Sequence, residues 1–176
     1  RDGSDAKGLL RLAIHLALLI GSGVLVGFVD GSWSYWPAAF VYGVMVIFLF
    51  APLHESLHNT AFESRWLNDW VGRVIGVVLV LPRDYFRCFH FAHHRYTQLP
   101  DKDPELAYPK PATLGAYFRF ASGVGYWTEQ VPLTIKHAFG VVSAPFVPKE
   151  AKPAVVKEAR VVVSVYAVVM VASILR

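Results

Sequence analysis

The sequence carries one cysteine, Cys88, in 176 residues. No disulfide within the chain is possible, and the thiolate sets of iron–sulfur centres and structural zinc are missing. Charge is missing over two long stretches. Gly31 to Leu53 is 23 residues with no Asp, Glu, Lys or Arg, and Leu12 to Val29 is 18 more, broken only by His15 and a few Gly and Ser. With 55% hydrophobic residues clustered in this way, the chain is not an ordinary soluble domain. The short loop from Asp30 to Trp36 has no Lys or Arg. No internal repeat, flavin motif or haem motif appears, and no stretch beyond the first few residues has the composition of disorder.

What is present follows the same outline. Each uncharged stretch is long enough to cross a hydrocarbon core of roughly 30 Å at about 1.5 Å per residue. The spans are expected at about 12–29 and 36–53, closed into a hairpin by the loop containing Trp33, Tyr35 and Trp36. The first run is too long for a signal-peptide core, and no small-x-small site follows Val29, so a retained span is expected. A third apolar run, Val161 to Leu175, is 15 residues long. The net charge of +4 does not indicate nucleic acid, because of where the cations lie. Arg1, Lys7 and Arg11 precede the first run, and 13 more Lys and Arg fall between His54 and Arg160. That asymmetry places the N-terminus and the central segment on the cytoplasmic side. Pro52 is expected to kink the second span just before His54. Val74 to Leu81 is too short to span and is expected at the interface. Residues 112–142, aromatic and amphipathic, are expected to lie along the membrane surface. The first residue is Arg and the chain closes on an apolar run, so an N-terminal part of a longer protein is expected.

Five of the seven histidines sit in two short strings. HESLH holds His54 and His58 at i and i+4. FHFAHHRYTQ holds His90, His93 and His94 at i, i+3 and i+4. On helices each set shares one face. Adjacent imidazoles cannot all be charged, and binding a cation through neutral nitrogens removes that conflict. HESLH alone fits H-E-x-x-H, the zinc motif of a metalloprotease with Glu55 as general base. It equally fits one histidine pair of a larger oxygen-activating site. A catalytic zinc takes three protein ligands. Five imidazoles exceed that need and suggest two metal ions, with iron and zinc both suited to nitrogen donors. Carboxylates hydrogen-bonded to such rings should orient them, and Glu55, Asp84, Asp101 and Asp103 are candidates, each with a solvated surface charge or a helix cap as its other reading. His15 is expected to pair with a neighbouring helix, His137 is expected to be a satisfied polar or surface histidine, and Cys88 a packed or lipid-facing thiol.

HESLH, a gap of 31 residues, and then HFAHH, with HHRYT and DPEL following, resemble the membrane fatty-acid desaturase and hydroxylase superfamily, in its desaturase branch. The match covers about Pro52 to Leu106. It departs from the pattern in one respect: the third histidine box, another HxxHH, is absent from these residues. In the family that box follows a second hairpin, which the third apolar run would begin. On this reading the chain lacks the third box and is expected to be inactive alone.

The resemblance implies an all-α membrane protein, with a transmembrane helical hairpin, cytoplasmic helices carrying the boxes, and the start of a second hairpin. It implies a single partial desaturase-like domain over 1–176, with spans at about 12–29, 36–53 and 161–175, a histidine-box region at 54–110 and interfacial helices at 112–142. It implies an oxidoreductase holding two non-haem iron ions through His54, His58, His90, His93 and His94, with O2 as co-substrate and no further catalytic residues. The substrate would be an acyl chain on CoA, a carrier protein or a lipid. An external donor such as ferredoxin or cytochrome b5 would supply electrons, docking on Arg83, Arg87, Arg95, Lys102 and Lys110 unless those cations contact anionic lipid. The location implied is the inner membrane of a bacterium or the endoplasmic reticulum of a eukaryote. Hydroxylases and ketolases of the same superfamily, and the zinc metalloprotease, are the alternatives.

Overall fold

A computed structural model describes residues 4–108 and 110–175. Arg1 and Arg176, both counted in the charge reading, lie outside the described residues. Among the described residues there are helices and no strand. The chain divides into two compact units, one ending at Leu79 and the other beginning at Val80.

The first unit opens with α1 (Asp5–Phe28), which turns at Gly31, φ 75°, into α2 (Tyr35–Phe48). A short break at Leu49 leads to α3 (Phe50–Leu57). Pro52 explains the break: it has no N–H to bond the Phe48 carbonyl, and its ring crowds that carbonyl. Leu49 turns its own N–H to Val46 O instead of Met45 O. His15 then bonds the Met45 carbonyl through Nε2 at 3.0 Å, which is the interhelical pairing expected of it. Both α1 and the α2–α3 rod, Tyr35–Leu57, are long and apolar enough to cross a membrane. Their apolar side chains, among them Leu10, Leu18, Phe40 and Ile47, are mostly exposed. Core helices of a soluble protein would bury them.

After α3 the chain returns through Asn59–Ser64 to α4 (Arg65–Val78). Asn68, fully buried, fixes this return: its Nδ2 donates to Phe62 O and Ser64 O, and its Oδ1 accepts from Phe62 N. Asp5 accepts from the N–H and hydroxyl of Ser64, and Gly8 lies directly against Ala61 and Phe62. Leu67 and Ile75 face inward, while Trp66, Trp70, Val74 and Val78 form an exposed stripe spaced four apart. Val74 therefore belongs to one face of a longer amphipathic helix.

The second unit begins with α5 (Arg83–Tyr96), entered through Pro82. A loop and a 3-10 turn, Pro104–Ala107, follow. Then come α6 (Leu114–Ala121), α7 (Val124–Ala138) and α8 (Lys152–Ile174). Thr113 caps α6 through its hydroxyl, and Gly123 at φ 71° separates α6 from α7. The charged lead before the third apolar run is continuous with it in α8. Val155, Glu158, Ala159 and Val162 form the buried stripe of α8. Tyr85, Val142, Val147 and Val155 make the core of this unit, and Cys88, Leu133 and Phe146 pack against it.

Candidate functional site

On α3, His54 and His58 are half-buried with ring centroids 5.0 Å apart. Leu53, Ser56 and Leu57 are buried around them, so the helix cannot rotate the pair away without exposing that face. Glu55 points outward and is exposed.

On α5 the second set is more closely described. His90 is buried and His94 exposed, yet their Nε2 atoms lie 2.9 Å apart. The two facing nitrogens cannot both carry a proton at that distance, and a cation bound to both would take the place of the shared one. His93 is partly buried, with its ring centroid 5.8 Å from that of His94 and 6.4 Å from that of His90.

His93 is fixed by carboxylates. Its Nδ1 lies 2.9 Å from Asp103 Oδ1 and 2.9 Å from Glu105 Oε2. The Asp103 side chain is wholly shielded from solvent. It also accepts from the backbone N–H of Gln98 through Oδ2 and of Glu105 through Oδ1. Burial would raise this carboxyl, but the bonds from His93, Gln98 and Glu105 outweigh burial and hold it below the ordinary carboxylate value. An ionised Asp103 makes Nδ1 of His93 the donor and leaves Nε2 as the ligand nitrogen. His93, Asp103 and Glu105 also lie close enough together to hold a cation between them.

Of the four acids considered from sequence, Asp103 hydrogen-bonds a histidine of the second string. Asp84 opens α5, beside Arg83, with its N–H given to Glu158. Glu55 and Asp101 are exposed. Glu105 is not among those four acids, although Asp-Pro followed by Glu is a start signal for a short helix. Asp103 caps that turn and brings the Glu105 carboxylate beside its own. Arg83 is buried, so it is no part of an exposed docking surface; Arg95, Lys102 and Lys110 are exposed. Arg87 lies over the Phe91 ring at 4.8 Å. His137 is buried against Tyr85, with ring centroids 4.5 Å apart. Cys88 is half-buried, and burial pushes its thiol up.

Imidazole nitrogens without thiolate, set in pairs and, at His93, oriented by carboxylate, fit iron as a ligand set.

The family model described as Fatty acid desaturase matches residues 31–175. The chain is 27% identical over 140 residues to an sn-1 oleoyl-lipid 12-desaturase of Picosynechococcus sp., covering 76% of this chain and 40% of the relative. It is 29% identical over 109 residues to an sn-1 acyl-lipid omega-3 desaturase (ferredoxin) of Synechocystis sp., covering 61% and 30%. It is 30% identical over 117 residues to a probable fatty acid desaturase of Sorghum bicolor, covering 66% and 29%. The chain thus spans at most two-fifths of the length of these relatives. No solved structure matches it with significance.

Proposed function

This chain belongs to the fatty acid desaturase family, and we propose from that premise that it carries two histidine boxes of a membrane enzyme that desaturates fatty acyl chains with O2. The observation that supports the reading most directly is the α5 geometry, where the Nε2 atoms of His90 and His94 face each other at 2.9 Å and Asp103 orients His93.

In this reading His54, His58, His90, His93 and His94 are ligands of two iron ions. When bound, that iron supplies the reduction of O2 and the oxidising power to remove hydrogen from an unactivated C–H bond. The protein's own residues do the rest. The imidazole rings offer nitrogen lone pairs. Asp103 holds the proton on Nδ1 of His93 and keeps Nε2 bare. Leu53, Leu57 and Phe86 bury the helix faces next to the ligands and restrict water there.

The membrane arrangement belongs to the same proposal. Spans at about 12–29 and 36–53 are followed by a cytoplasmic histidine-box region at 54–110 and interfacial helices at 112–142. The run at 161–175 opens a second hairpin. An acyl group on a membrane lipid is the favoured substrate, since two relatives above are named as acting on acyl or oleoyl lipids. One of them is named with ferredoxin, which supports a small acidic electron donor meeting the exposed Arg95, Lys102 and Lys110.

The test uses the full-length protein expressed in cells that lack endogenous polyunsaturated lipid. Iron near two atoms per chain and new double bonds in membrane lipids are the expected results. A single tightly held zinc with unchanged lipids would overturn the proposal.

A further inference from the structure

Glu158 is in the wrong place for an ordinary surface charge. It sits in the buried stripe of α8, between Val155 and Val162 and beside Ala159. It is only 6% exposed. A carboxylate in an apolar stripe is costly unless it is strongly hydrogen-bonded. Its Oε2 accepts the backbone N–H of Asp84 at 2.6 Å, across 74 residues of sequence. Asp84 is the second residue of α5, where backbone N–H groups have no partner within the helix and the helix dipole favours negative charge. The distance is short for a bond from N–H to oxygen.

We infer that Glu158 is a positioning residue for the second histidine box: from α8 it clamps the first turn of α5 and so sets where His90, His93 and His94 stand. This rests on the reading of α5 as the ligand-bearing helix. A helix advances about 1.5 Å per residue, so His90 lies roughly 9 Å beyond the clamped Asp84 on a stiff rod. A shift at the first turn is carried to all three rings. Val155 and Tyr85 meet in the core of the unit and set the spacing of the two helices, while Glu158 sets their axial register. Since α8 runs on into the uncharged segment Val161–Ile174, the clamp ties the ligand helix to an apolar rod. Glu158 touches no reacting atom; it acts through α5.

The experiment takes the full-length protein in lipid nanodiscs as wild type, Glu158→Ala and Glu158→Gln. Amide hydrogen exchange is followed without metal, and Co(II) is titrated by its ligand-field absorption. Alanine should speed exchange across Asp84–Cys88, leave α4 unchanged, and weaken Co(II) binding about tenfold, in the lower range for residues that orient ligands. Glutamine keeps an acceptor oxygen and should recover most of both effects. Unchanged exchange in α5, unchanged Co(II) affinity of the folded fraction with alanine, or a glutamine variant no better than alanine would each overturn the inference. If wild type took up no Co(II) while alanine still loosened α5 and glutamine restored it, the clamp would stand and the metal reading would fall.

Discussion

Nδ1 of His93 lies 2.9 Å from a carboxylate oxygen of Asp103, ten residues further along the chain. The loop that makes this possible passes through Gln98 and Asp101, both near φ 63°, and closes on the turn that Asp103 itself caps. Converting Asp103 to Asn keeps the size of the side chain but removes its charge. The metal affinity of the full-length protein should fall by about 10–100-fold. Competition with a chelator of known affinity measures it, and an unchanged affinity would remove Asp103 from the site.

Alanine at His54, His58, His90, His93 or His94 should each lower bound iron and abolish turnover. Alanine at His15 or His137 should leave iron content unchanged, because those rings are taken up by the Met45 carbonyl and the Tyr85 ring. Iron analysis of the seven variants separates the two groups. Loss of iron from the His137 variant with its fold intact would contradict the assignment.

Burial holds the His137 imidazole below its ordinary value near 6.5. Below that pH the unfolded chain takes up a proton that the folded one refuses. Stability therefore falls as pH drops from about 6.5 towards the folded value, and above that window His137 adds no pH dependence. Tyr85, its ring partner, is pushed up to about 12, chiefly by burial, and stays neutral throughout. Denaturant unfolding from about pH 5 to about pH 8 should show a slope that His137→Gln reduces. An identical slope in the variant would mean that the ring is not buried in solution.

The return loop after His58 depends on close contact. A Cβ at Gly8 would overlap the carbonyl oxygen of Ala61 and come within 2.7 Å of Cδ1 of Phe62. Gly8→Ala should cost about 1–3 kcal/mol through overpacking. Asn68→Ala leaves the buried N–H and C=O of Phe62 without their side-chain partner, while Ser64 O keeps the backbone N–H of residue 68, and should cost about 1–3 kcal/mol or more. Thermal unfolding of each variant gives the comparison, and a neutral Gly8→Ala would mean that α1 does not pack there.

Much of this protein was legible one residue at a time. Uncharged runs of sufficient length dictate membrane helices wherever they fall, because a charge in hydrocarbon is so costly. Imidazoles at i, i+3 and i+4 share a face on any helix, so the two candidate histidine strings could be read before a fold was known. Pro52 announced the break at Leu49 for the same local reason. Tertiary structure alone decided which acids serve those imidazoles. Asp84, Asp101 and Asp103 look alike as letters, but only the turn capped by Asp103 brings a carboxylate to His93, with Glu105 beside it. Glu158 reads as one of several alternating charges, and Arg83 as one cation of a basic surface, until packing buries both. Periodicity reports the face of one helix; burial depends on what another helix, distant in sequence, lays against it.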